Sequence, residues 1–123
     1  MMNKGHRAGQ WGEEIACEYL RNQGYEIVER NWHSRFGEVD IIAREGDTLV
    51  FVEVKVRTGS GFGGPEAALT ARKRARITAT ARAYLSRVDA DLPVRFDFVA
   101  LIGEKVKLYR DAFQVEEPCS RGC

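Results

Sequence analysis

Two closely spaced apolar runs, Gly37 to Ala43 and Leu49 to Arg57, tie this chain to a fold built around a sheet. Both are rich in Val and Ile, and only the turn-forming stretch Arg44-Glu45-Gly46-Asp47-Thr48 separates them. That pattern predicts a two-stranded hairpin. Alternation along a strand places Glu38, Asp40 and Ile42 on one side of the first run. On the second, Phe51, Glu53, Lys55 and Arg57 share one side and Val50, Val52, Val54 and Val56 take the other. Charges in such strands are costly unless they face water or find partners. One reading is a solvated face whose Glu and Lys make ordinary cross-strand pairs. The other is a cation site: two carboxylates brought together raise each other's pKa, and a divalent ion between them removes the repulsion. Asp and Glu oxygens suit Mg²⁺ or Mn²⁺. Lys55 lies two residues after Glu53, roughly 7 Å along the strand, where its ammonium could orient a nucleophile or offset developing negative charge.

A third carboxylate precedes the hairpin. The spacing of Trp11, Ile15, Ala16, Tyr19 and Leu20 predicts a helix from about Ala8 to Gln23, with Gly24 as its C-terminal stop. Glu13 stands three, four and seven positions before Ala16, Cys17 and Leu20, on the margin of the apolar stripe. From spacing alone it either turns inward towards a metal or the Lys55 ammonium, or reaches out to water.

The motifs Gly9-x-x-x-Glu13-x-x-Ala16, Gly24-Tyr25, Arg30-Asn31, Gly37-Glu38-Val39-Asp40, Phe51-Val52-Glu53-Val54-Lys55-x-Arg57 and Arg95-Phe96-Asp97 occur in that order. In this the chain resembles the YraN family, small bacterial proteins expected to be endonucleases related to archaeal Holliday junction resolvases, and the resemblance runs from about Gly5 to Phe113. It implies an α/β, restriction-endonuclease-like three-layer fold of the PD-(D/E)xK superfamily, with a central mixed β-sheet flanked by helices. It also implies catalytic roles for Asp40, Glu53, Lys55 and the helical Glu13. Asp40 and Glu53, assisted by Glu13, would hold Mg²⁺ or Mn²⁺. No proline stands before Asp40, where the sequence reads Glu38-Val39-Asp40, and this departure leaves the ligands intact. Glu38 is read as a rim carboxylate.

The rest of the chain fits one domain, residues 1–113, followed by a flexible C-terminal tail, 114–123. A length of 123 residues and 44% hydrophobic content suffice for a single core. Tyr25 to Asn31 reads as a first strand and Pro65 to about Val88 as one long helix. Pro93 to Ile102 and Lys105 to Tyr109 read as further strands ahead of an acidic tail at Asp111, Glu116 and Glu117. Asp97 is assigned a structural role, paired with Arg95 or with the long helix.

Nineteen basic against 18 acidic residues leave the net charge near zero, so net charge does not advertise a nucleic-acid binder. Distribution says more. Arg72, Lys73, Arg74, Arg76 and Arg82 follow one another with no acidic residue between, a run that is either a solvated face or a track for phosphates. Arg57, Arg72, Lys73 and Arg76 are the expected nucleic-acid contacts. Phe62, in the Gly-rich stretch Thr58 to Gly64, anchors that loop or stacks on a base. His6 and His33 have no ligand-spaced companions, and three cysteines without a framework fit a reducing compartment. With no apolar run long enough to span a membrane, a cytoplasmic location is expected.

These observations predict a divalent-metal-dependent endonuclease that hydrolyses phosphodiester bonds in DNA, branched or otherwise structured. The alternative is a catalytically idle nucleic-acid-binding module in a DNA repair, recombination or uptake complex, and a third is a protein-interaction factor. A four-way junction presents two symmetric strands to cut, so a homodimer would suit that substrate.

Overall fold

The computed structural model describes residues 4–57, 64–88 and 91–115, with side chains described from Trp11 onward. Helix α1 spans Lys4–Asn22; strands β1 (Glu26–Ser34), β2 (Gly37–Glu45) and β3 (Thr48–Arg57) follow. A short helix α2 (Pro65–Ala68) and the longer α3 (Ala71–Val88) lead to β4 (Val94–Ile102) and β5 (Lys105–Phe113). The five strands form one mixed sheet in the order β1-β2-β3-β4-β5. All neighbours are antiparallel except β3 and β4, which run parallel and therefore need the helical crossover that α2 and α3 supply.

Two cores follow from the alternation of β3. Val50 and Val52 pack with Ile41, Ala43, Val99 and Leu101 beneath Ala16, Cys17 and Leu20 of α1. Phe51 faces the other way, joining Leu49, Phe96, Phe98 and Ala100 under Ile77, Ala81 and Tyr84 of α3. Both faces of β3 are thus covered, giving the three layers expected of an α/β domain. Trp11, expected among the apolar residues of α1, is 57% exposed; the buried face of that helix begins at Gly12. A Cβ added at Gly12 would meet Val56 Cγ2 at 2.6 Å and Leu101 Cδ1 at 3.1 Å, so only glycine lets α1 come this close to the sheet.

Several boundaries differ from the sequence reading, and α1 starts at Lys4 instead of about Ala8. β1 runs on to Ser34 because Asn31, at φ 53°, bends the strand without ending it; Asn tolerates that left-handed region better than most residues. β5 likewise passes through Asp111, at φ 55°, and ends at Phe113, whose ring stacks on Phe96 at 4.7 Å. The expected helix from Pro65 breaks at Leu69 and Thr70. Thr70 Oγ1 accepts the Lys73 N–H at 3.2 Å and the Leu69 carbonyl accepts Arg74 Nη1 at 2.6 Å, so a cap starts a second helix while Leu69 enters the core.

Candidate active site

The β2–β3 ladder ends at Ile41 opposite Val52. One step beyond, Asp40 Oδ2 accepts the Val54 N–H at 2.8 Å, so a carboxylate replaces a backbone carbonyl as the partner of β3. Strict alternation fails at the same place: Val39 and Ile42 belong to the α3-side core and Ile41 to the α1-side core. Asp40 is therefore turned into the gap between the two strands instead of simply sharing a face with Glu38 and Ile42. Glu53 sits across that gap.

Enclosure of the two carboxylates dominates their electrostatics. Loss of water, then the charge of Glu53, push the Asp40 pKa up to about 8, against the hydrogen bond from Val54, which favours the ionised form. Glu53 is also raised, mainly by burial, although Lys73 and Lys55 work in the opposite direction and Asp40 hydrogen-bonds to it. Lys73 Nζ lies 3.5 Å from Glu53 Oε2. The Lys55 pKa is lowered, first by the Lys73 charge, then by burial and by Arg57. Two carboxylates and two ammonium groups thus share one partly enclosed site. It lies past the middle of β3, towards the carboxyl end of the parallel pair, where open α/β sheets generally place ligands.

Glu13 approaches from α1. Its Oε1 is buried without a hydrogen-bond partner, and its charge adds to the upward push on Asp40. The close approach of Gly12 to Val56 and Leu101 fixes the neighbouring Glu13 at this margin. The adjacent Glu14 turns away to Arg30 at 3.0 Å. Among the described residues, no three His, Cys, Asp or Glu side chains gather closely enough to form a metal cluster. Asp40 and Glu53 form a pair, with Glu13 beside it. The donor chemistry nonetheless fits a small hard cation: two crowded carboxylates and an orphaned buried carboxylate oxygen, with water and phosphate left to complete the shell.

The basic residues divide. Lys73, expected on a phosphate track, is drawn into the site by Glu53. A signal for this was present, since Lys73 continues by one turn the stripe Ile77, Ala81 and Tyr84 that α3 buries. Arg74 is occupied with the Leu69 carbonyl, whereas Arg72 and Arg76 are exposed. Arg57 ends β3 on the Lys55 side of the strand. Phe62 lies outside the described residues. Glu38 is exposed, with His33 Nε2 at 3.6 Å, consistent with a rim position.

Asp97 lies at the other end of the sheet and is fully buried. Arg95 donates to both of its oxygens, at 2.8 and 2.9 Å, and the Tyr25 hydroxyl donates at 2.6 Å. Arg95 and Arg110 converge on Glu45 at 2.7 and 2.9 Å, and the Asp111 N–H closes the network at 2.9 Å. Burial and the Asp97 bond push the Tyr25 pKa up to about 12. The expected Arg95 partnership is present. The alternative contact with the long helix is replaced by Tyr25, which the sequence reading had not connected to it.

The profile of the uncharacterised protein family UPF0102 matches residues 12–101. The chain belongs to that family. UPF0102 is the YraN family of the sequence resemblance. A UPF0102 protein of Nitrosomonas europaea is 41% identical over 115 residues, covering 91% of this chain and 98% of the relative. One from Lachnoclostridium phytofermentans is 48% identical over 103 residues, covering 82% and 87%. Among solved structures, Hjc from Archaeoglobus fulgidus, a Holliday junction resolvase, aligns with a TM-score of 0.56 at 20% identity over 80% of this chain and 72% of that one. This chain thus has a restriction-endonuclease-like fold. No described helix is long and apolar enough to cross a membrane.

Proposed function

We propose that this chain is a Mg²⁺- or Mn²⁺-dependent endonuclease that hydrolyses phosphodiester bonds in DNA, with branched or structured DNA as its substrate class. The observation that carries the reading is the pairing of Asp40 and Glu53 with Lys55 and Lys73 closing around them. A merely structural role would favour apolar residues or a fully neutralised pair, because carboxylates whose ionised form is disfavoured by burial cost stability. The resolvase-like fold supports the same reading.

Asp40 and Glu53 would hold the cation, with Glu13 Oε1 the next available oxygen. When bound, a divalent cation supplies Lewis acidity towards a phosphate oxygen and balances the carboxylate charge. The remaining work belongs to the chain. Lys55 Nζ orients the attacking water, and its lowered pKa brings it closer to the range in which it can exchange a proton. Lys73, which pairs with Glu53 at 3.5 Å, would contact a phosphate if Glu53 held the cation. Arg57, Arg72 and Arg76 grip the backbone without reading sequence, which makes affinity salt-dependent. A homodimer would present two such sites to a four-way junction.

The test compares parent, Asp40→Asn and Glu53→Gln for Mn²⁺ binding by calorimetry and for cleavage of labelled four-way and flapped DNA. Loss of metal binding and cleavage in both variants, with DNA affinity largely retained, is expected. Cleavage persisting in a clean Asp40→Asn preparation rejects this assignment. A parent that binds DNA but neither binds metal nor cleaves is a binding module.

A further inference from the structure

The turn between β1 and β2 presents an aromatic ring to solvent at the end of the strand that carries Asp40. Phe36 is 45% exposed. A single exposed apolar side chain is ordinary on a protein surface; what distinguishes this one is how it is held. The Phe36 N–H donates to Ser34 Oγ at 3.0 Å, which fixes the turn. Arg35 Cζ stands 5.1 Å from the Phe36 ring centroid, within cation–π range, so one side of the ring is backed by positive charge. The next residue, Gly37, has φ 149° and is seated on α3. A Cβ there would lie 3.4 Å from Thr80 Oγ1 and 3.8 Å from Arg76 Cβ.

That seating fixes where the ring sits. Asp40 follows Gly37 by three residues on β2, and Arg76 follows Lys73, the Glu53 partner, by three residues on α3, about one helical turn. The tip therefore rests against α3 beside Arg76, about 10 Å along β2 from Asp40, with Arg35 against the ring. Glu38, on the same stretch, faces His33 at 3.6 Å. A ring backed by one guanidinium, with the Arg76 stem against the next residue, matches a nucleotide: the cations take nearby phosphates, and the ring stacks on a base face regardless of base identity. Within an intact duplex both faces of every base are covered by neighbours, so only an unpaired base can use this surface.

We propose that Phe36, backed by Arg35, is a stacking platform for an unpaired DNA base at the β1–β2 tip, about 10 Å along β2 from Asp40. DNA with single-stranded character, such as a flap, a gap or an opened junction, is then preferred over uninterrupted duplex. This rests on the reading of the chain as one that acts on DNA. The test measures binding of the full chain, in EDTA, to a duplex and to the same duplex with a short gap carrying 2-aminopurine. The parent binds the gapped DNA at least tenfold more tightly and quenches the 2-aminopurine fluorescence. Phe36→Ala lowers affinity for gapped DNA about tenfold, equivalent to about 1.4 kcal/mol, changes duplex affinity less than twofold, and abolishes the quenching; Phe36→Trp restores both.

Equal losses on both substrates, or no loss on either, overturn the platform. A parent that binds both DNAs equally overturns it while leaving DNA binding itself intact. A gapped RNA bound more tightly than its DNA counterpart overturns the assignment to DNA. A parent that binds no nucleic acid at low salt overturns both this inference and the function on which it rests.

Discussion

Replacing Asp40 by Asn is expected to stabilise the protein while disabling its site. In the folded chain the Asp40 pKa rises from the usual 3.8 to about 8, so the folded state holds a proton that the unfolded chain releases near pH 4. Each pKa unit corresponds to about 1.36 kcal/mol, which caps the cost of ionising Asp40 at roughly 6 kcal/mol in mildly alkaline solution. Partial solvent access and the nearby ammonium groups reduce this to about 2 kcal/mol. The sign follows: a carboxylate with a raised folded pKa stabilises fully below the unfolded value, and that contribution is lost as pH climbs towards 8. Asn mimics the protonated acid and can still accept the Val54 N–H, so it escapes the loss. Thermal unfolding in EDTA should show Asp40→Asn melting roughly 6–10 °C above the parent at pH 8.5. The gap should narrow as pH falls and close below about pH 4, where the unfolded chain is also protonated. Added Mn²⁺ should raise the parent alone, by about 2.7 kcal/mol at a hundredfold excess over Kd. A variant no more stable than the parent at pH 8.5, or a gain independent of pH, refutes the argument.

Lys73→Met removes the ammonium that competes for Glu53 and should tighten Mn²⁺ binding about tenfold by calorimetry while weakening DNA binding; Arg72→Met, exposed on the same helix, should leave metal affinity unchanged. Gly12→Ala forces a methyl group against Val56 and Leu101 and should cost about 1–3 kcal/mol in urea unfolding. Because the displaced helix carries Glu13, metal affinity should fall with it. Asp97→Asn replaces one of the two carboxylate partners of Arg95 by a neutral amide while Glu45 remains and should cost about 1–3 kcal/mol, read by urea unfolding, with metal affinity per folded molecule unaltered.

Much of this was legible before the structure. The apolar runs around Asp40 and Glu53 produced the hairpin because alternation and a Gly-Asp turn are local signals, and Gly24, at φ 97°, ended α1 as expected. What escaped were features set by distant partners. The break at Leu69 and Thr70 depends on Leu69 entering the core, and β5 lengthens because Asp111 binds Asp97 and Phe113 stacks on Phe96. Charge runs were read as surface, so Lys73 was placed on a phosphate track although its helical spacing aligned it with buried Ile77. Strict alternation likewise misdirected Asp40, since periodicity carries no information on where two strands separate.

That separation has a spectroscopic consequence. Because the Val54 N–H is bonded to the Asp40 carboxylate instead of a peptide carbonyl, one amide proton in the middle of the sheet reports the ionisation of a side chain. Its NMR chemical shift should titrate with Asp40 and move when a cation or substrate arrives, while its solvent exchange records whether the two strands stay joined there. A single cross-peak would then follow protonation, metal occupancy and local opening of the sheet in an otherwise unlabelled active site.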